Sequence, residues 1–184
     1  AVDHMLQIWA GGVQISWSHG EGRSISAGDE VATLSGDKEA VLALERTILN
    51  ILGHLSGIAT EAKKWSSKAP GQIACTRKTI WGILDKWAVH LGGGLTHRLS
   101  KQDAKMIKEN DLAVMYPDIG TNVARITKFL NEVELDQCGA FLEVEVREEK
   151  EAVMASFTWS EKRMQSGCDR LVIMLDNFNP ERCK

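Results

Sequence analysis

The chain has 184 residues, 43% of them apolar and 26% charged, with a formal net charge of −3. That profile fits a soluble globular protein with material for a packed core. A charge so near zero gives no sign of a nucleic-acid or membrane partner, so any basic site must be local. No window approaches the run of about 18 apolar residues needed to cross a bilayer.

The N-terminal text "AVDHMLQIWAGGV" lacks the charged segment and long apolar run of a secretory leader. Cys75, Cys138, Cys168 and Cys183 lie far apart without a CxxC pair. Reduced thiols in a cytoplasmic setting are therefore expected, and a metal-thiolate site is not.

From Val13 to Gly36 the sequence alternates and turns often: "VQISWS", "HGEG", "RSIS", "AGD", "EVATLSG". Val13, Ile15 and Trp17 share a strand face and Gly20, Gly22 and Gly28 supply turns, which predicts a small antiparallel β module. From Asp37 the period becomes helical. Val41, Leu44, Ile48, Ile51 and Leu55 recur at three and four residues, with Asp37 or Ser35 as cap and Gly57 as the expected end or bend.

Beyond about residue 70 four short apolar runs end in polar residues: "QIACTRK", "AKMIKEN", "FLEVEV" and "LVIMLDN". Helical stretches separate them, as at Val123, Ile126, Leu130 and Val133. This alternation predicts βαβ units and a parallel sheet. Lys78, Lys108, Glu145 and Asp176 close the runs at intervals of 30, 37 and 31 residues, the length of one βα unit.

Parallel α/β folds bind ligands at the carboxyl ends of their strands, so these termini are expected to share one pocket. Its cationic half would hold Arg77, Lys78, His97, Arg98 and Lys108. Its anionic half would hold Glu145 and Asp176, with the amide of Asn177. Arginine pairs bidentately with carboxylate or phosphate, while lysine acts as a point charge. The glycines at 92–94 are expected to bring bare N–H groups against an anion. Two carboxylates facing them suit a divalent cation or sugar hydroxyls. An anionic substrate beside a magnesium-bound phosphate compound accounts for both halves.

The segments "ERTILNILGHLSGIAT" (45–60), "TRKT" (76–79), "DKWAVHLGGGLTHR" (85–98), "MIKEN" (106–110), "EVEV" (143–146) and "IMLDNF" (173–178) closely resemble quinolinate phosphoribosyltransferases. They occur in the family's order. The resemblance implies an α/β fold: a partial α/β sandwich domain with its linking helix over 1–57, then a partial α/β barrel over 58–184 comprising four of about seven βα units. It implies that quinolinate and phosphoribosyl pyrophosphate give nicotinate mononucleotide, pyrophosphate and carbon dioxide with magnesium, in NAD synthesis.

By the same resemblance Arg77, His97, Arg98 and Lys108 grip the quinolinate carboxylates, within a substrate-binding set that includes Thr76. Lys78 faces the phosphoribosyl substrate. Glu145 and Asp176 lie near the ribose and the Mg2+, and with Lys78 and Lys108 form the catalytic group. Arg46 reaches the pocket of the neighbouring subunit in a homodimer or larger homo-oligomer. Neither nucleic acid nor membrane is an expected partner.

The sequence also departs from the family. After "TRKT" the usual "xPGLRxL" is two residues shorter and Trp81 stands in the proline position; Glu109 and Asp111 replace an aspartate and a histidine. Segments of the type "SGG" and "GALTH", which hold phosphate in the family, are not found in this sequence, and the family's first helix and the early strands of the sandwich domain are expected to be missing as well. These features lead us to expect a fragment with low solubility and little turnover. A truncated, non-catalytic paralogue that only binds a subunit is the alternative.

Overall fold

A computed structural model describes residues 1–134, 138–166 and 170–183. They fall into two compact units, Ala1–Leu99 and Ser100–Lys184. Cys168 lies outside the described residues, while Cys75, Cys138 and Cys183 form no disulfide among the described residues. Among the described residues no helix is long and apolar enough to cross a membrane.

The first unit opens with α1 (Val2–Trp9), a helix that the sequence reading did not anticipate. Val2 and Leu6 stand one turn apart and bury together against Val13 and Ile48. Strands β1 (Gln14–Trp17) and β2 (Ala32–Ser35) pair antiparallel from Gln14–Ser35 to Trp17–Ala32, as the alternation predicts. Gly22 and Gly28, between them, adopt positive φ of 75° and 92°, a region that only glycine occupies cheaply. Helix α2 (Lys38–Lys68) starts where expected, with Asp37 Oδ1 accepting from Glu39 N at 3.1 Å and Ala40 N at 3.0 Å.

Gly57 does not end α2. One interior glycine costs only about 1 kcal/mol relative to alanine, and Ala62 and Ser66, buried beyond it, keep the helix packed. The stop comes at Ala69-Pro70-Gly71, where Gly71 has φ 72°. Helix α3 (Ile83–Leu91) follows and packs on α2. The run "QIACTRK" forms no strand. It contributes one parallel bridge, Ala74 to Leu95, because its partner segment leaves α3 only four residues earlier and turns again at His97, whose φ is 60°.

The second unit has the strand–helix alternation of an unclosed α/β barrel. β3 (Lys105–Ile107), β4 (Leu142–Val146) and β5 (Leu171–Leu175) form a parallel sheet in that order. Helices α4 (Glu109–Met115) and α5 (Asn122–Glu132) connect β3 to β4, and α6 (Glu149–Ser166) connects β4 to β5. Leu142, Val144 and Val146 of the central strand are fully buried, and Ile126, Phe129 and Leu130 of α5 join their core. A strand covered on both faces reads as an apolar run, and here Glu143 and Glu145 interrupt it although both are buried.

Candidate active site

In the first unit the cations sit on two short segments. The Thr76–Thr79 loop is closed internally, with Lys78 N donating to Thr76 Oγ1 at 3.1 Å and Thr79 N to the Arg77 carbonyl at 3.0 Å. This compact turn leaves Thr76, Arg77 and Lys78 exposed. Its entry is held by Cys75 N donating to Leu95 O at 2.8 Å. Its exit is held by Asp85, whose Oδ2 accepts from Ile80 N at 2.8 Å and Trp81 N at 3.0 Å. Where the family sequence is two residues longer, Gly82 turns the chain into α3 at φ 58°.

His97 and Arg98, both half-buried, form the second segment. Lys86 Nζ donates to the carbonyls on either side of His97, Thr96 O at 3.0 Å and Arg98 O at 2.8 Å. The other Asp85 oxygen pairs with His54 Nε2 at 2.8 Å, and the His54 ring lies 4.2 Å from that of Trp81. Burial by itself raises the Asp85 carboxyl. The Trp81 and Ile80 amides and His54 outweigh it and hold the group below the ordinary aspartate value.

The triple glycine does not do what its sequence promises. Gly92 N donates to Ala88 O, Gly93 N to His90 O and Gly94 N to Val89 O, at 3.1, 2.8 and 2.9 Å. All three N–H groups close the carboxyl end of α3 and none is left for an anion. The glycines serve packing instead: a Cβ on Gly92 would stand 2.4 Å from Ala59 O of α2, and one on Gly94 2.6 Å from Val89 Cγ1.

In the second unit Lys108 follows β3, Glu145 ends the inner part of β4 and Asp176 follows β5, so three predicted run ends are the carboxyl ends of paired strands. Their charges are not segregated. Lys108 forms an ion pair with Glu145, whose side chain is 6% exposed. Arg147, just beyond β4, binds Glu109 and places its Nε 3.4 Å from Asp176 Oδ2. Asn177, at φ 59°, donates to Asp176 at 3.1 Å. Within this unit cations and carboxylates alternate as pairs, and at Glu145 the reason is that a buried carboxylate needs a counter-charge. Glu109 serves Arg147, and Asp111 accepts from Lys108 N at 3.0 Å to cap α4.

Arg46 is exposed on α2, one turn from Asn50 and two residues before the buried Ile48. The described residues contain no cluster of three or more histidine, cysteine or carboxylate groups fit to cage a metal. Glu145 and Asp176, hard oxygen donors, stand at the carboxyl ends of adjacent strands, the first paired with Lys108 and the second facing Arg147. The sequence reading missed Arg147, His54, Asp85 and Lys86. The pair "DK" inside an apolar helical pattern was the available signal for the last two.

Comparison with known proteins gives two family matches in chain order. Residues 1–56 match the quinolinate phosphoribosyl transferase N-terminal domain and residues 58–184 the C-terminal domain. A probable carboxylating nicotinate-nucleotide pyrophosphorylase of Methanothermobacter thermautotrophicus is 35% identical over 91% of this chain and 56% of its own length. The chloroplastic carboxylating enzyme of Arabidopsis thaliana is 33% identical over 90% of this chain and 48% of its own. The solved nicotinate-nucleotide pyrophosphorylase of Francisella tularensis superposes with a TM-score of 0.74 at 30% identity, over 97% of this chain and 59% of that one. The chain spans about half the length of the curated relatives it matches.

Proposed function

The chain belongs to the quinolinate phosphoribosyl transferase family, and from that premise we propose that it serves the transfer of a phosphoribosyl group to quinolinate. The products are nicotinate mononucleotide, pyrophosphate and carbon dioxide. The observation that carries this reading is the placement of Lys108, Glu145 and Asp176 at the carboxyl ends of three paired parallel strands, where parallel α/β folds hold their ligands.

In this reading Arg77, His97 and Arg98 neutralise ring carboxylate, Lys108 is a further carboxylate-binding residue of the family pattern, and Thr76 shapes the loop that presents Arg77. Lys78 meets the phosphoribosyl substrate. Glu145 and Asp176 attend the ribose and hold Mg2+, which when bound neutralises charge on the departing pyrophosphate. The pyridine nitrogen then takes the anomeric carbon. Loss of carbon dioxide follows readily because the cationic ring nitrogen stabilises the carbanion that forms. The protein orients and neutralises more than it moves protons. Arg46 completes the site of a neighbouring copy in a homo-oligomer, and the setting is cytoplasmic.

Calorimetric titration of quinolinate into the 184-residue chain tests this reading. Saturable binding is expected, weakened by about 10- to 100-fold in Arg77→Ala and in Arg98→Ala, the loss associated with a charged hydrogen bond. Wild-type affinity in either variant would overturn it.

A further inference from the structure

The first turn of α3 carries two adjacent buried charges of opposite sign, Asp85 at 5% and Lys86 at 6% exposure. Neighbouring positions on a helix project about 100° apart, so the two groups leave the helix in different directions. Each is given to main chain. Asp85 takes the amides of Ile80 and Trp81, which directly follow the Thr76–Thr79 loop. Lys86 takes the carbonyls of Thr96 and Arg98, which flank His97. His54 braces the arrangement from α2 through the second Asp85 oxygen and its ring contact with Trp81.

Burying a charge is costly unless it is fully hydrogen-bonded. A neutral cap or an apolar residue would end these turns with less desolvation. What the charged pair adds is a single rigid origin for both cationic segments: one helical turn sets the position of the Arg77 loop and of the His97–Arg98 turn together. Such a device matters where a ligand presents two anionic groups at a fixed separation. A monoanion needs one cationic segment in place; a vicinal dicarboxylate needs both, at the right spacing, and arginine forks are demanding of geometry.

We propose that Asp85 and Lys86, braced by His54, are positioning residues that fix the spacing between the Arg77 loop and the His97–Arg98 turn and so set a preference for a dicarboxylate over a monocarboxylate. This rests on the substrate reading above.

The test titrates quinolinate and nicotinate separately into the wild-type chain and the Asp85→Ala, Lys86→Met, Asp85→Asn and His54→Gln variants, with near-ultraviolet circular dichroism as the check on folding. Wild type is expected to prefer quinolinate. Asp85→Ala and Lys86→Met should shrink that preference by about tenfold or more, an effect in keeping with ångström-scale misplacement, while nicotinate affinity changes by no more than about threefold. Asp85→Asn, whose amide oxygen still accepts from Ile80 and Trp81, should restore most of the preference. His54→Gln removes only the brace and should give a smaller loss in the same direction, which serves if the harsher variants do not fold. An unchanged preference in folded Lys86→Met or His54→Gln overturns the proposal and leaves the substrate reading standing. Absence of quinolinate binding by wild type overturns that reading, and this proposal with it.

Discussion

At position 92 a single hydrogen atom decides how closely two backbones approach. Any Cβ there would lie 2.4 Å from Ala59 O and 2.9 Å from Lys63 N, backbone atoms that do not yield as a flexible side chain would. Gly92→Ala is therefore expected to destabilise the chain by about 1–3 kcal/mol, the usual cost of overpacking, measured by urea denaturation. The Lys108–Glu145 pair carries a different asymmetry. Lys108→Met strands a buried carboxylate, whereas Glu145→Gln leaves a lysine that is 32% exposed and able to reach water. The first substitution should cost more, about 1–3 kcal/mol for an unsatisfied buried group; equal melting losses would contradict this. Asp85 gives a pH dependence. Its folded-state value lies below the ordinary aspartate value, so its contribution is present at pH above that ordinary value and is lost as the pH falls through the lower, folded one. Asp85→Asn should flatten the acid limb of a stability–pH curve, and an unaltered limb would show that other carboxylates govern it.

Among the elements, β4 and α5 show how the core is made. β4 lies between two parallel partners and buries along its whole length, which its apolar positions dictate. Glu145 is admitted because Lys108, just beyond β3, supplies a counter-charge. The end of α5 depends on a residue from another helix. Lys162 of α6 donates to Leu130 O at 2.7 Å, Asn131 O at 3.1 Å and Val133 O at 2.6 Å, satisfying carbonyls that a helix leaves open. Lys162→Met should lower stability by about 1–3 kcal/mol, read as a shift in the urea midpoint. No shift would mean that water caps α5 equally well.

For the molecule as a whole, the parallel sheet is the element that matters most. Among the described residues β3 and β5 each pair on one side only, and exposed apolar groups such as Val172 and Leu175 accompany the β5 edge. Parallel sheets are ordinarily covered on both faces, and an open edge is a template for association. The 184-residue chain should therefore self-associate at micromolar concentration in light scattering, and a monodisperse monomer would contradict the expectation. How much of this was legible beforehand differs with the element. The period changes marked α2, α5 and the three strands, and the run ends marked Lys108, Glu145 and Asp176. Helix α1 was not legible, since eight residues offer too few turns for a clear period, and neither was the continuation of α2 through Gly57.

By itself the sequence determined strands β1 to β5, helices α2 and α5, the residues that close the three parallel strands and the family to which the chain belongs, because these are written in the local pattern of residues. Tertiary structure decided the partners. The N–H groups of Gly92, Gly93 and Gly94 turned inward to α3, Lys108 met Glu145 across 37 residues, and His54 met Asp85 across 31. A charge withdrawn from water takes whatever counter-group the packed chain brings within reach, and topology chooses that group, not spacing along the chain.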